Sequence, residues 1–106
     1  MKITLKELIE VNKRLGGGIR SDSSLSFAES TCKNSKSRHR QASIWIRAIV
    51  VDHPFTDANK RTALYAVDKI VGVSDEIKMA RTIERIAAKS IADLKKLEWM
   101  IKNANR

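Results

Sequence analysis

The organisation of this chain follows from one nine-residue stretch, His53-Pro54-Phe55-Thr56-Asp57-Ala58-Asn59-Lys60-Arg61. It gathers one imidazole, one carboxylate, one amide and two cations around a predicted turn. A residue before proline avoids helical backbone, so we expect one helix to end at His53. A helix-forming run over residues 61–71 follows the turn, and we expect that helix to begin near Asp57 or Ala58. The stretch therefore predicts two helices joined at a chemically dense loop, which we call the 53–61 loop.

Helical periodicity extends to both sides of this loop. Upstream, a helix is predicted over about residues 38–52, with an apolar face made of Ala42, Trp45, Ile46 and Ile49. Downstream, Gly72 is expected to end the helix whose inward face carries Ala63, Val67 and Ile70. The next helix is predicted after a Ser74 cap, and its inward face carries Ile77, Ala80, Ile83 and Ala87. A last helix is predicted after a Ser90 cap, with Trp99 near its end and Ile91, Leu94, Leu97 and Ile101 inward.

The N-terminal part is predicted to add one helix and a long loop. Thr4 with Glu7 three residues later fits a capping box, which favours a helix start there. Three glycines, residues 16–18, are expected to end that helix because glycine readily adopts left-handed backbone. Residues 19–37 are rich in serine and are predicted to form an exposed loop. Within it we expect an extended piece near 19–21 and a single helical turn near 25–30.

Composition favours one compact all-α domain. The chain has 106 residues with one proline and four glycines, which suits a single-domain helical bundle. Cys32 is the only cysteine, which excludes an internal disulfide and favours a reducing compartment. Residues 1–10 lack the apolar block of a signal peptide, and no apolar run reaches membrane-spanning length. We therefore expect a soluble cytoplasmic protein with no membrane partner.

The charge balance predicts anionic partners. Twenty-one basic and twelve acidic residues leave a formal charge of +9. No acidic residue occurs between Glu29 and Asp52, a window that carries Lys33, Lys36, Arg38, Arg40 and Arg47. Nucleotides, nucleic acid or an acidic protein surface would suit such a chain. A merely solvated basic face is the alternative interpretation of this window.

The predicted helix that begins near Asp57 or Ala58 has the chemistry of an anion site at its start. The first N–H groups of a helix lack partners and, with the helix dipole, attract anions. Lys60 and Arg61 lie at the end of a helix where cations cost about 0.3–1 kcal/mol each unless an anion intervenes. Ala58 is small enough to let a phosphate approach the backbone. Asn59 offers either a bond to a phosphate oxygen or a cap for the turn.

Three further residues of the loop have candidate roles. Asp57 is a hard oxygen ligand suited to Mg²⁺ shared with a phosphate, although an N-cap aspartate is the simpler interpretation. His53 is a candidate proton acceptor, with a packed, hydrogen-bonded histidine as the alternative. Phe55 lies among polar residues and is interpreted as a buried anchor of the turn.

The pattern His-x-Phe-x-Asp-Ala-Asn-Lys-Arg resembles the signature of Fic/Doc proteins, most closely that of the death-on-curing (Doc) branch. Softer similarity lies in residues 18–22 with Leu25, which look like the family's flap, and in residues 86–87 and 97–100, which look like its last helices. The resemblance implies one Fic/Doc-like domain over residues 1–106. It also implies a flap segment at about residues 17–30 over the active site.

The resemblance also implies an activity, the transfer of part of ATP to a protein hydroxyl. His53 is then the general base, Asp57 the Mg²⁺ ligand and Phe55 the loop anchor. The implied nucleotide-binding residues are Ala58, Asn59, Lys60 and Arg61. The implied flap residues, which position the target chain by strand addition, are Arg20, Ser21 and Asp22.

One departure selects the transferred group. Members that transfer AMP carry a second arginine where this chain has Leu64, and Doc-type members lack it. We therefore expect phosphoryl transfer from ATP to a cytoplasmic protein such as a translation factor or GTPase, with AMP transfer as the alternative. No self-inhibitory segment of the family type is evident, which predicts a toxin controlled by a separate antitoxin. Two other hypotheses remain, namely a basic nucleic-acid-binding helical module and a degenerate family member that only binds a partner.

Overall fold

The computed structural model describes residues 3–105 and contains six α-helices in that range. They are α1 (Leu5–Arg14), α2 (Ser23–Cys32), α3 (Arg38–Ile46), α4 (Asn59–Val71), α5 (Glu76–Lys89) and α6 (Leu94–Ala104). No strand occurs between residues 3 and 105, where the only β-type pairing is an isolated bridge between Ile19 and Phe55. The predicted all-α class is therefore confirmed. Residues 1, 2 and 106 of the predicted domain lie outside the described residues.

Helix α3 lies at the centre of the fold and packs against α2, α4 and α6. Its buried residues run continuously from Ala42 to Ile46 because neighbours cover it on several sides. Trp45 and Phe55 are the largest fully buried side chains. The Cα radius of gyration of 12.1 Å indicates a compact body for a chain of this length. No helix in the described part of the chain is long and apolar enough to cross a membrane.

The helix before the 53–61 loop ends in a π-helical turn. Helix α3 continues directly into a π-helix, Arg47–Val51, which widens the last turn before the loop. The predicted helix over residues 38–52 is thus confirmed to within one residue. His53 lies just beyond this turn on left-handed backbone, with φ of +50°, and it is exposed.

The predicted loop over residues 19–37 is wrong in its central part, which forms the ten-residue helix α2. Serine-rich sequence has low helix propensity, and Asp22 makes no side-chain cap. Leu25 and Ala28, three positions apart, are nonetheless buried, and α2 packs against α3 and the π-helix. Tertiary packing of this short apolar stripe stabilises a helix that propensity alone does not.

The two C-terminal helices begin later than predicted. Asp75, not Ser74, caps α5 by accepting a hydrogen bond from Lys78 N at 3.0 Å. Ser90 ends α5 on left-handed backbone instead of beginning α6, which starts after Asp93. Ile77, predicted to face inward, is 69% exposed, because the buried stripe of α5 is Met79, Ile83 and Ile86. Leu97 and Ile101 are buried as predicted.

The other predicted helix boundaries are confirmed. Thr4 caps α1 by accepting a hydrogen bond from Glu7 N at 3.1 Å. Gly16, with φ of +93°, follows the end of α1, and Gly72, with φ of +73°, ends α4. Both angles favour glycine because a Cβ is strained there. The stop at Gly16 leaves the end of α1 beside the first turn of α4, where Leu15 O accepts a hydrogen bond from Arg61.

Candidate functional site

The 53–61 loop is anchored by Phe55 and closed by Asn59. The ring of Phe55 is fully buried. The Asn59 side chain spans the turn, since its Oδ1 accepts from Phe55 N at 3.2 Å and its Nδ2 donates to Phe55 O at 3.0 Å. The anchor role predicted for Phe55 agrees with this burial. Of the two roles predicted for Asn59, the amide group performs the structural one, bracing the turn.

The backbone of the predicted flap is attached to this loop. Arg20 N donates to Pro54 O at 2.7 Å, and Thr56 N donates to Gly18 O at 2.8 Å. Ser21 N also donates to Pro54 O, at 3.1 Å. The extended piece predicted near residues 19–21 is therefore present as a short bridged segment that runs beside the loop. It holds Arg20 next to the start of α4.

The N-terminus of α4 has no side-chain cap. Ala58 occupies the cap position on left-handed backbone, with φ of +61°, and its own N–H is bound by Asp57 Oδ1 at 2.7 Å. The first regular helical bond joins Thr62 N to Ala58 O at 2.9 Å. The N–H groups of Asn59, Lys60 and Arg61 precede that bond, so they form the exposed positive end of the helix.

A cavity of about 430 Å³ lies at this helix end. It brings together seven of the predicted site residues, namely Arg20, His53, Asp57, Ala58, Asn59, Lys60 and Arg61. Ser21 and Asp22, also predicted, do not line it, and Phe55 lies beneath it in the core. Two lining residues were not predicted, Thr56 and Glu84. Glu84 comes from α5, so no local sequence pattern could have indicated it.

Arg61 is held at the edge of the cavity. Its Nη2 donates to the carbonyl of Leu15 at 3.1 Å, just beyond the end of α1. An arginine has five N–H donors, so this bond leaves others for a ligand. The bond also joins α1 to the first turn of α4.

A buried amide that the sequence prediction missed supports the loop from below. Asn12 of α1 is fully buried, and its Nδ2 donates to Asp57 O at 2.9 Å and to Thr62 Oγ1 at 3.1 Å. Its Oδ1 has no hydrogen-bond partner in the described structure. Gly17 packs so closely that a Cβ there would lie 2.2 Å from this oxygen. Asn12 therefore fixes the backbone of Asp57 at the position where the helix turns.

One signal for Asn12 was present in the sequence. It follows Leu8 by four residues and precedes Leu15 by three, so it occupies the apolar face of α1. A polar residue on such a face must find buried partners, because an unpaired amide in the core is costly. The sequence does not identify those partners, since they lie 45 and 50 residues away.

A polar cluster fastens α1 to α4 near this support. Glu7 Oε2 accepts hydrogen bonds from Tyr65 Oη and from Lys69 Nζ, the latter at 2.7 Å. Lys69, followed by Tyr65, lowers the pKa of the Glu7 carboxyl. The same carboxylate raises the pKa of Tyr65 and that of Lys69. The cluster keeps Asn12 in register with the helix that it supports.

The carboxylates that line the cavity are those of Asp57 and Glu84, too few to hold a metal ion by themselves. Among residues 3–105 no group of three or more His, Cys, Asp or Glu side chains could hold a metal by itself. Asp57 is exposed, and only one of its two carboxylate oxygens is bound to Ala58 N. Mg²⁺ characteristically combines one or two carboxylates with phosphate oxygens and water. The residues present therefore fit Mg²⁺ that arrives with a phosphate rather than a metal held by protein alone.

No protein-family model, curated protein or solved structure matches the chain.

Proposed function

We propose that the chain is a Doc-like transferase that moves a phosphoryl group from ATP to a hydroxyl of a cytoplasmic protein. The single observation that carries the proposal is the cavity at the start of α4. One exposed imidazole, two carboxylates, three cationic side chains and a helix N-terminus without a side-chain cap converge there. The resemblance of the 53–61 loop to the Fic/Doc signature supports the same activity.

The cationic lining supports a polyphosphate substrate. Arg20, Lys60 and Arg61 surround the free N–H groups of α4, and Glu84 is the one carboxylate besides Asp57. Helix N-termini and arginine side chains both bind phosphate oxygens well. Asp57 would hold Mg²⁺, which neutralises phosphate charge when it is bound.

The position of His53 supports a role as proton acceptor. Its left-handed backbone turns the residue out of the helix, and its imidazole is exposed at the mouth of the cavity. In the proposed reaction the target hydroxyl loses its proton to His53 as its oxygen bonds to the γ-phosphorus. The bond between the γ-phosphorus and the bridging oxygen breaks, and ADP leaves. General base catalysis of this kind contributes about 10²–10⁴-fold.

The proposed flap positions the target chain. Its segment at residues 18–21 is held to the loop by three backbone hydrogen bonds. Ile19 is 46% exposed, so the outer edge of this short extended piece is accessible to a second chain. Backbone pairing there would deliver a hydroxyl towards His53 without requiring a particular side chain on the target.

Isotope transfer tests the proposal directly. The purified chain is incubated with Mg²⁺, a cell extract and ATP labelled at either the α or the γ phosphate. Label that moves to protein only from the γ position is the expected result. Transfer from the α position would instead identify an AMP transferase.

A matched pair of histidine variants completes this test. The chain has two histidines, and His39 lies on α3 away from the cavity. His53→Ala is expected to reduce transfer by at least about 100-fold, whereas His39→Ala retains it. If neither label moves, or if both variants behave like the original chain, the enzyme proposal is wrong. A chain that only binds a partner would give this negative result.

A further inference from the structure

A second basic cleft lies between α5 and α6, and we call it the α5–α6 groove. Its volume is about 490 Å³. Its lining comprises Lys78, Arg81, Thr82 and Arg85 from α5 with Trp99, Met100, Asn103 and Ala104 from α6. None of these residues lines the cavity at the start of α4, so the groove is separate from the proposed transferase site.

The charges of the groove are uncompensated. No carboxylate is among its lining residues. The ion pairs within residues 3–105 are Glu7 with Lys69 and Arg40 with Glu98, so Lys78, Arg81 and Arg85 have no acidic partner there. Unpaired cations that surround a concave surface attract an anionic ligand.

The groove also carries an exposed aromatic ring. Trp99 is 65% exposed, whereas the only other tryptophan, Trp45, is 1% exposed. Lys95 and Lys96, both exposed, lie one turn before Trp99 on α6. A solvent-facing indole offers a flat surface on which a planar group can stack.

The apolar part of the groove suits one base better than a protein helix. Helix-binding grooves hold several apolar side chains spaced along the partner. Here Met100 and Ala104 are only 7% and 2% exposed, so Trp99 is the one exposed hydrophobic residue of the groove. Cations that follow a backbone and a ring that stacks a base are the two elements of single-strand recognition.

We propose that the α5–α6 groove binds single-stranded nucleic acid. One base stacks on Trp99, and the adjoining phosphates contact Lys78, Arg81 and Arg85. This surface is distinct from the acid-free window of residues 30–51, which the sequence first suggested for nucleic acid. Because the ligand contacts are to a base face and to phosphates, RNA and DNA share the same chemistry here.

The test uses the whole purified chain with oligo(dT) and oligo(rU) of about 12 nucleotides. Stacking is expected to quench the fluorescence of Trp99, while the buried Trp45 contributes a constant background. Anisotropy of labelled oligonucleotides then gives the affinity of each variant between about 50 and 200 mM salt. The tighter of the two oligonucleotides identifies the preferred backbone.

Three variants distinguish binding in the groove from non-specific attraction to the positive charge of the chain. Trp99→Leu is expected to weaken binding by at least about fivefold, because it retains an apolar side chain but loses the stacking surface. Arg81→Gln with Arg85→Gln is expected to weaken binding and to reduce the salt slope by about 1.4. Lys36→Gln with Arg38→Gln removes the same charge from the acid-free window and is expected to leave affinity nearly unchanged.

Several results would overturn the proposal. They are the absence of binding to either oligonucleotide at the lower salt, unchanged affinity in Trp99→Leu, and an equal loss of affinity in the acid-free-window control. Competition by poly-glutamate that is as effective as oligonucleotide and equally dependent on Trp99 would assign the groove to an acidic protein instead. Circular dichroism of each variant confirms that the chain remains folded during these measurements.

Discussion

The cavity at the start of α4 and the α5–α6 groove are similar in volume, about 430 and 490 Å³, and both are rich in cations. They differ in what holds the binding groups in place. In the cavity, backbone N–H groups and a loop fixed by Phe55, Asn59 and Asn12 provide the geometry. In the groove, the binding groups are side chains on the two regular helices α5 and α6.

The two surfaces differ in the rigidity of their binding groups, and this difference suits them to different functions. Chemistry on a bound group requires atoms held within fractions of an ångström, which a braced loop can provide. Long lysine and arginine side chains lose rotamer freedom when they are fixed, so a groove made of them suits adaptable binding instead. We therefore expect the two surfaces to respond very differently to substitution.

The largest expected difference concerns the two aromatic residues. Phe55→Ala removes a fully buried ring and is expected to lower the free energy of unfolding by about 3–5 kcal/mol. Trp99→Ala removes a mostly exposed ring and is expected to change it by less than about 0.5 kcal/mol. Urea denaturation followed by far-UV circular dichroism measures both. Equal losses would show that the loop is not anchored as described.

A smaller effect is expected at the buried amide. Asn12→Ala removes the donors to Asp57 O and Thr62 Oγ1 and is expected to cost about 1–3 kcal/mol of stability. It is also expected to weaken binding of Mg²⁺-ATP, because the Asp57 backbone is then free to move. Calorimetric titration measures that affinity at a temperature where the variant is folded. Asn103→Ala, in the groove, is the matched control and is expected to retain ATP binding.

The third prediction concerns pH. The pKa of Glu7 is lowered from its ordinary value of 4.5, chiefly by Lys69 and then by Tyr65. The stabilisation is therefore complete above the pKa of the unfolded chain and is lost as pH falls through the lower folded pKa. Glu7→Gln is expected to flatten the acid side of the stability profile, measured by urea denaturation across that range.

The control for the pH prediction is an acidic residue on the same helix. Glu10 is exposed and makes no ion pair within residues 3–105. Glu10→Gln is expected to retain the acid slope of the original chain. If both variants flatten the profile alike, the Glu7 cluster does not fasten α1 to α4 as the structure indicates.

The smallest expected effect is a difference in stability between variants of two arginines, Arg61 and Arg85. Arg61→Gln loses the bond to Leu15 O and is expected to cost at most about 1 kcal/mol of stability. Arg85→Gln, in the groove, has no partner to lose among residues 3–105 and is expected to change stability by less than about 0.5 kcal/mol. Thermal unfolding of the two variants in parallel measures the difference. A larger loss for Arg85→Gln would reveal a structural role for the groove.

Much of the candidate site was predictable because it is local in sequence. His53, Asp57 and Lys60 lie within eight residues of one another in the loop that joins two helices, so they are close together in space. Arg20 was predicted only through the resemblance, and three backbone hydrogen bonds hold its segment beside the loop. Asn12 and Glu84 were missed because each approaches the loop from a distant helix.

The helices also divide into those that local sequence predicted and those that only tertiary packing revealed. Those with a strong apolar stripe or a clear cap, such as α1 and α4, were predicted with nearly correct boundaries. Helix α2 was missed because its serines favour turns, and only the packing of Leu25 and Ala28 against α3 reveals it. The starts of α5 and α6 were misplaced because serine and aspartate are both good caps and stand close together there.

From sequence alone, the helical class, the glycine stops and the cluster of chemical groups in residues 53–61 were already determined. Each depends on interactions within a few residues, which periodicity and capping encode directly. What supports and surrounds that cluster depends on the tertiary structure, including the buried Asn12, the neighbouring segment of residues 18–21 and the separate groove around Trp99. Those features depend on which helix faces meet, and that choice is made by packing of the whole core rather than by any short segment.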